Sequence, residues 1–143
     1  MSIDSVVVTK LIDQLREYIA RLEKMRSMKE QFVTDIDTQD LVSHRMHTAV
    51  EIMIDIATHI ASSLNLGGKE TAADVFRLLG KENVLSGELT AKLVSAPAMR
   101  NVLIHEYSDV DFQLIADHYD ENLSDLKHFL QEITKYLVKQ NVL

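Results

Sequence analysis

Apolar residues recur every third or fourth position along nearly the whole chain, the period of a helix rather than the alternation of a strand. Val7, Leu11, Leu15, Tyr18, Leu22 and Met25 form one such stripe, widened by Ile12 and Ile19, with Asp4 or Ser5 placed to cap its start. It fades near Met28, ahead of the polar run from Thr34 to Thr38. Asp37 or Thr38 can cap a second helix carrying Val42, Met46, Ala49, Met53, Ile56, Ile60 and Leu64. Val50, Ile52, Ile54 and Ala57 make that helix apolar on more than one side, which predicts burial on more than one side. Asn65-Leu66-Gly67-Gly68 ends it. A short third helix follows from Thr71 to Leu79, with Gly80 as its stop. Ser86 caps a fourth, which carries Leu89, Leu93 and Val94 and meets Pro97. Proline removes a backbone donor and clashes with the preceding turn, so the helix kinks there or restarts just before Arg100. The last helix begins at Asp109 or Asp111 and runs almost to the C-terminus on Phe112, Ile115, Tyr119, Leu123, Leu126, Ile133 and Leu137.

This pattern predicts an all-α fold: an up-and-down bundle of four main helices plus a short one, as a single domain over residues 1–143. The composition agrees, with four Gly and one Pro in 143 residues and 46% hydrophobic residues to build a core. The lack of Cys excludes disulfides, zinc–thiolate sites and thiol catalysis and suits a reducing cytoplasm. No apolar run is long enough to span a bilayer, and the N-terminus lacks the layout of a signal peptide, so no membrane partner is expected. A net charge of −7 is the wrong sign for a general nucleic-acid binder, so any RNA contact needs a local basic patch. The same charge suits a partner with a basic surface.

The candidate chemistry lies in Arg100-Asn101-Val102-Leu103-Ile104-His105-Glu106-Tyr107. Arginine is a permanent cation with planar donors that fit a phosphate, and histidine exchanges a proton near neutral pH. On a straight helix Arg100 and His105 diverge by about 140°, at ~100° per residue, so one copy would not focus both on one phosphate. A two-fold dimer brings identical patches together and can supply both from two copies. Spacing alone also admits a plainer account. Arg100 then pairs with Glu106 or a distant carboxylate, His105 is a partly buried core histidine, and Tyr107 is a core aromatic. Glu51, Asp55 and His59 share one face of the second helix, as a polar strip toward a catalytic groove or as a surface charge ladder. Their spacing is not the Glu-x-x-His of di-metal bundles, so a metal-carrying bundle is the weakest alternative and no cofactor is expected. His44, His47, His118 and His128 match no motif and read as surface or structural.

The arrangement Arg-Asn-x3-His-x-Tyr, between a short helix and a long terminal one, resembles the signature of HEPN-domain ribonucleases, and within them the HepT-like toxins. Tyr18 to Glu23 is similar to that family's first helix, and Ala49-Val50-Glu51 with Asp55-Ile56-Ala57-Thr58-His59-Ile60 to its second. Ala98-Met99 stands where the family often has Gly-Phe before Arg-Asn, and Arg45 falls where it often has an arginine. The resemblance implies a homodimer with a shared cleft and a metal-independent endoribonuclease of a type VII-like HEPN/MNT toxin–antitoxin pair. It implies Arg100 and His105 as catalytic residues, with Asn101, Glu51, Asp55 and His59 supporting. It also implies neutralisation by an MNT-type nucleotidyltransferase antitoxin that adenylylates Tyr107. The alternative within the family is a non-catalytic HEPN module that binds a nucleotidyltransferase or its substrate.

Overall fold

The computed structural model describes residues 3–64, 71–96 and 110–143. Among the described residues there are seven α-helices and no strand: α1 (Ser5–Lys24), α2 (Gln31–Thr34), α3 (Ile36–Ser63), α4 (Ala72–Lys81), α5 (Gly87–Leu93), α6 (Phe112–Asp117) and α7 (Tyr119–Lys139), with a single 3₁₀ turn at Arg26–Met28. The all-α expectation holds. Three long helices, α1, α3 and α7, form the frame, and the short ones close its ends.

The Asp4 carboxylate caps α1 by accepting from the Val6 and Val7 N–H groups. The helix buries Val8, Ile12, Leu15, Ile19 and Leu22, while Val7 is exposed and Leu11 and Tyr18 are half-buried. Leu15, Leu22 and Met25 of the predicted stripe are buried together with Ile12 and Ile19, and the buried face is shifted away from Val7, Leu11 and Tyr18.

The second helix starts earlier than expected. Asp35, not Asp37 or Thr38, is its cap, accepting from the Thr38 N–H (3.0 Å) and from the Thr38 hydroxyl (2.5 Å). Its expected two-sided burial is present. Val42, Ala49, Val50, Ile52, Met53, Ile56, Ala57 and Ile60 are all buried, because α3 packs on α1, α2, α4 and α7. It runs antiparallel to α1, since Asp4 meets His59 at one end and Tyr18 meets His44 at the other. The proposed cap at Asn65 to Gly68 lies outside the described residues.

Gly80 does not stop the short helix. It sits inside α4, where an added Cβ would lie 2.5 Å from the Thr90 hydroxyl of α5. The stop comes at Asn83, whose φ of 61° lets the Val84 N–H return to the Leu79 carbonyl at 2.9 Å. Ser86 caps α5 as expected, and α5 closes at Leu93. The proposed bend at Pro97 lies outside the described residues.

The last helix is two helices. Asp111 caps α6 through the Leu114 N–H, and His118 (φ −101°, ψ 7°) separates α6 from α7. No proline or glycine forces the break. It lets α6 pack on α2 while α7 lies along α1. Tyr119, fully buried just past the break, stacks near Phe32 (centroids 5.0 Å apart) and donates its hydroxyl to the Leu22 carbonyl at 2.6 Å. Phe76 and Phe129 meet edge to face at 6.3 Å in the same core. Among the described residues no helix is long and apolar enough to cross a membrane.

Candidate functional site

Arg100, Asn101, His105 and Tyr107 lie outside the described residues, as do Val102, Leu103 and Ile104. The structure does place what surrounds that segment in sequence. Ala96 and Val110, the described residues on its two sides, both line a cavity of about 590 Å³ bounded by α3, α5, α6 and α7. Met46, Val50 and Met53 come from one stripe of α3, at steps of four and three. Leu93 of α5, Leu114 and Ile115 of α6 and Leu126 of α7 complete an apolar wall.

Among the described residues, Lys92, Ser95, Asp111, His118 and Glu121 line this cavity as exposed polar groups, and Asn122 and Asp125 are half-buried. The His118 Nδ1 lies 3.6 Å from the Glu121 carboxylate, an ion pair only when the imidazole is protonated. Lys92 lies 3.8 Å from Glu88. Burial pushes the Asp125 carboxyl above its usual range, Glu121 adds to the rise, and Lys92 and His128 oppose it. The Asn122 Nδ2 is buried without a hydrogen-bond partner.

Glu51, Asp55 and His59 are not among the residues that line this cavity. At ~100° per residue they project from the side of α3 roughly opposite Met46, Val50 and Met53. Glu51 is half-buried and Asp55 exposed. The half-buried His59 makes a contact between helices. Its Nε2 accepts the Asp4 backbone N–H at 3.3 Å, joining the end of α3 to the start of α1. Among the described residues no group of three His, Asp or Glu side chains comes close enough to share a metal ion. His44 is exposed, 6.4 Å from the Tyr18 ring, and His47 leaves a buried Nδ1 unpartnered.

Helical periodicity assigns Met46 to the core and passes over Lys92, Asn122 and Asp125. Asn122 and Asp125 flank the Leu123 and Leu126 stripe, an edge position that marks a polar rim only once the facing helix is known. Arg16, Arg21, Arg26, Lys29, Arg77, Lys92 and Lys127 each lie within 4.0 Å of a carboxylate.

A family model described as ribonuclease HepT-like matches residues 15–133. The chain is 26% identical over 130 residues to the mRNA nuclease HepT of Shewanella oneidensis, covering 91% of this chain and 97% of that one. It is 25% identical over 138 residues to the tRNA nuclease HepT of Aphanizomenon flos-aquae, covering 96% and 94%. The fold is similar to that of a tri-AMPylated Shewanella oneidensis HEPN toxin in complex with MNT antitoxin, with TM-score 0.82, 26% identity and coverage of 90% and 97%.

Proposed function

Since this chain belongs to the ribonuclease HepT-like family, we propose that it is a metal-independent endoribonuclease toxin whose catalytic residues are Arg100 and His105. The family match over residues 15–133, which contains the whole Arg100-to-Tyr107 motif, is the observation that carries this reading. Two copies of the chain form a homodimer, and their motifs share one cleft around a single RNA linkage. The ribose 2′-oxygen attacks the adjacent phosphorus, forming the 2′-O–P bond as the P–O5′ bond breaks. One His105 takes the 2′-OH proton, and the His105 of the second copy protonates the leaving 5′-oxygen. Arg100 balances the charge that grows on the non-bridging oxygens. Asn101 orients His105 or holds phosphate. Glu51 and Asp55 support the cleft from α3, and His59 fixes the helix that carries them.

The toxin is neutralised by an MNT-type nucleotidyltransferase that transfers adenylyl groups from ATP to the Tyr107 hydroxyl, releasing pyrophosphate. Added bulk and negative charge beside the RNA cleft exclude substrate by size and repulsion. RNA and antitoxin both place the protein in the cytoplasm. The products test the mechanism. Mass spectrometry of RNA digested in the presence of a chelator gives a 2′,3′-cyclic phosphate and a 5′-hydroxyl, and DNA of the same sequence survives. Cleavage of that DNA would rule out attack by the 2′-oxygen, and absence of RNA cleavage at any protein concentration would replace the enzyme with a binding module.

A further inference from the structure

We propose that the surface made by α2, the first turn of α3 and α6 docks the nucleotidyltransferase antitoxin, which meets it with an apolar face rimmed by lysine and arginine. The inference rests on the neutralisation proposed above and adds where the two proteins touch. α2 packs on both α3 and α6, so the three share one end of the bundle. Val33 of α2, Ile36 at the start of α3 and Leu114 of α6 stand 42%, 70% and 50% exposed there. Aliphatic side chains exposed singly need no account, but a group of them rimmed by polar residues marks an interaction site. The rim carries one sign. Asp37, Asp111 and Asp117 are exposed, and neither residues 30–44 nor residues 110–126 include a lysine or arginine. The cations that precede α2, Arg26 and Lys29, are held by Asp120. Arg45 projects from the side of α3 opposite Ile36, at ~100° per residue.

This charge selects the occupant. RNA phosphates and the headgroups of an anionic membrane are repelled by it. A two-fold contact between copies would set the same carboxylates against each other. A protein with a basic face gains from them, in encounter rate and in register. Position then selects the enzyme that modifies Tyr107. Asp111 stands four residues after Tyr107, a stretch of backbone that spans at most about 14 Å. A protein seated on α6 therefore has the Tyr107 hydroxyl within reach.

Docking is read apart from adenylylation on Tyr107→Phe protein, which cannot be modified. Surface plasmon resonance against the purified nucleotidyltransferase compares this parent with Ile36→Ser and with Asp37→Lys/Asp117→Lys in the same background. Ile36→Ser weakens binding about tenfold, through faster dissociation. The double charge reversal slows association about tenfold at low salt, and it flattens the fall in association rate that added salt causes in the parent. With Tyr107 restored, both surface variants cleave RNA at the wild-type rate and are adenylylated more slowly. Unchanged binding rates in both variants would overturn the proposal and leave the antitoxin reading standing. No binding by the parent or by the wild type would overturn both. Loss of RNA cleavage or of dimers, in a variant that keeps its melting temperature, would assign the surface to RNA or to a second copy and overturn the proposal.

Discussion

At the scale of single residues, Asp120 and Glu23 tie the C-terminal end of α1 to the start of α7. Asp120 accepts from Arg26 (3.2 Å) and Lys29 (2.6 Å), and Glu23 from Lys127 and Arg26, both at 2.8 Å. The Lys29 hydrogen bond holds Asp120 below its ordinary 3.8, and the Lys127 hydrogen bond holds Glu23 below its ordinary 4.5. A depressed carboxyl contributes stability that is present above its unfolded pKa and disappears as pH falls through the folded one. The melting temperature is therefore flat above about pH 5 and declines as pH drops through and below the 3.8–4.5 range. Asp120→Asn and 1 M salt each flatten part of that decline, because these exposed charges are screened. A decline that neither change alters would remove this network as its cause. Tyr119 acts differently: burial pushes its phenol up, and its hydroxyl satisfies the Leu22 carbonyl. Tyr119→Phe removes that hydrogen bond, leaving the Leu22 carbonyl with the Met25 N–H at 3.1 Å, and lowers stability by about 0.5–1.5 kcal/mol in denaturant unfolding, with nuclease activity retained. Of these contacts the sequence showed only that Tyr119 is buried, because their partners lie on another helix.

At the scale of elements, the α4–α5 contact depends on the missing side chain of Gly80. Alanine favours a helix over glycine by about 1 kcal/mol, yet a Cβ here would meet the Thr90 side chain at 2.5 to 3.1 Å. Overpacking wins, so Gly80→Ala destabilises by about 1–3 kcal/mol in urea unfolding. A stabilised Gly80→Ala protein would show that the helices part freely. Periodicity identified the helices well, because Leu89, Met53 and Ile133 are core residues in any register of their stripes. It placed boundaries less well. Asp35 took the cap of α3, ahead of the expected Asp37 or Thr38, because its carboxylate reaches both the N–H and the hydroxyl of Thr38. The break at His118 carries no Pro or Gly, and its cause is that α6 and α7 pack on different helices. His59 reads in the sequence as part of a polar strip, and in the structure its Nε2 accepts from the Asp4 N–H. That contact joins positions 55 residues apart and has no local signature. His59→Leu thus loosens the start of α1, seen as faster amide exchange at Val6 to Val8, while Gln, which keeps an acceptor, preserves protection.

At the scale of the molecule, an acidic chain of net charge −7 must hold RNA, and many of its cations are already paired. The proposed shared cleft would resolve this by doubling the few cations that matter, and it predicts that sedimentation equilibrium of the full chain gives twice the 16.3 kDa of one copy. A monomer at every concentration would leave the Arg100 and His105 of one chain without a second copy to meet. The motif stood out through its resemblance to the family signature, because its spacing alone also admits a plainer account. The cavity was the least legible, because Met46, Lys92 and Asn122 come together only when three helices pack. The central claim, that Arg100 and His105 carry RNA cleavage, is tested most directly by Arg100→Ala and His105→Ala in separate purified proteins. With dimerisation intact, each loses RNA cleavage by about 10²–10⁴-fold. Cleavage at the wild-type rate by either protein would contradict it.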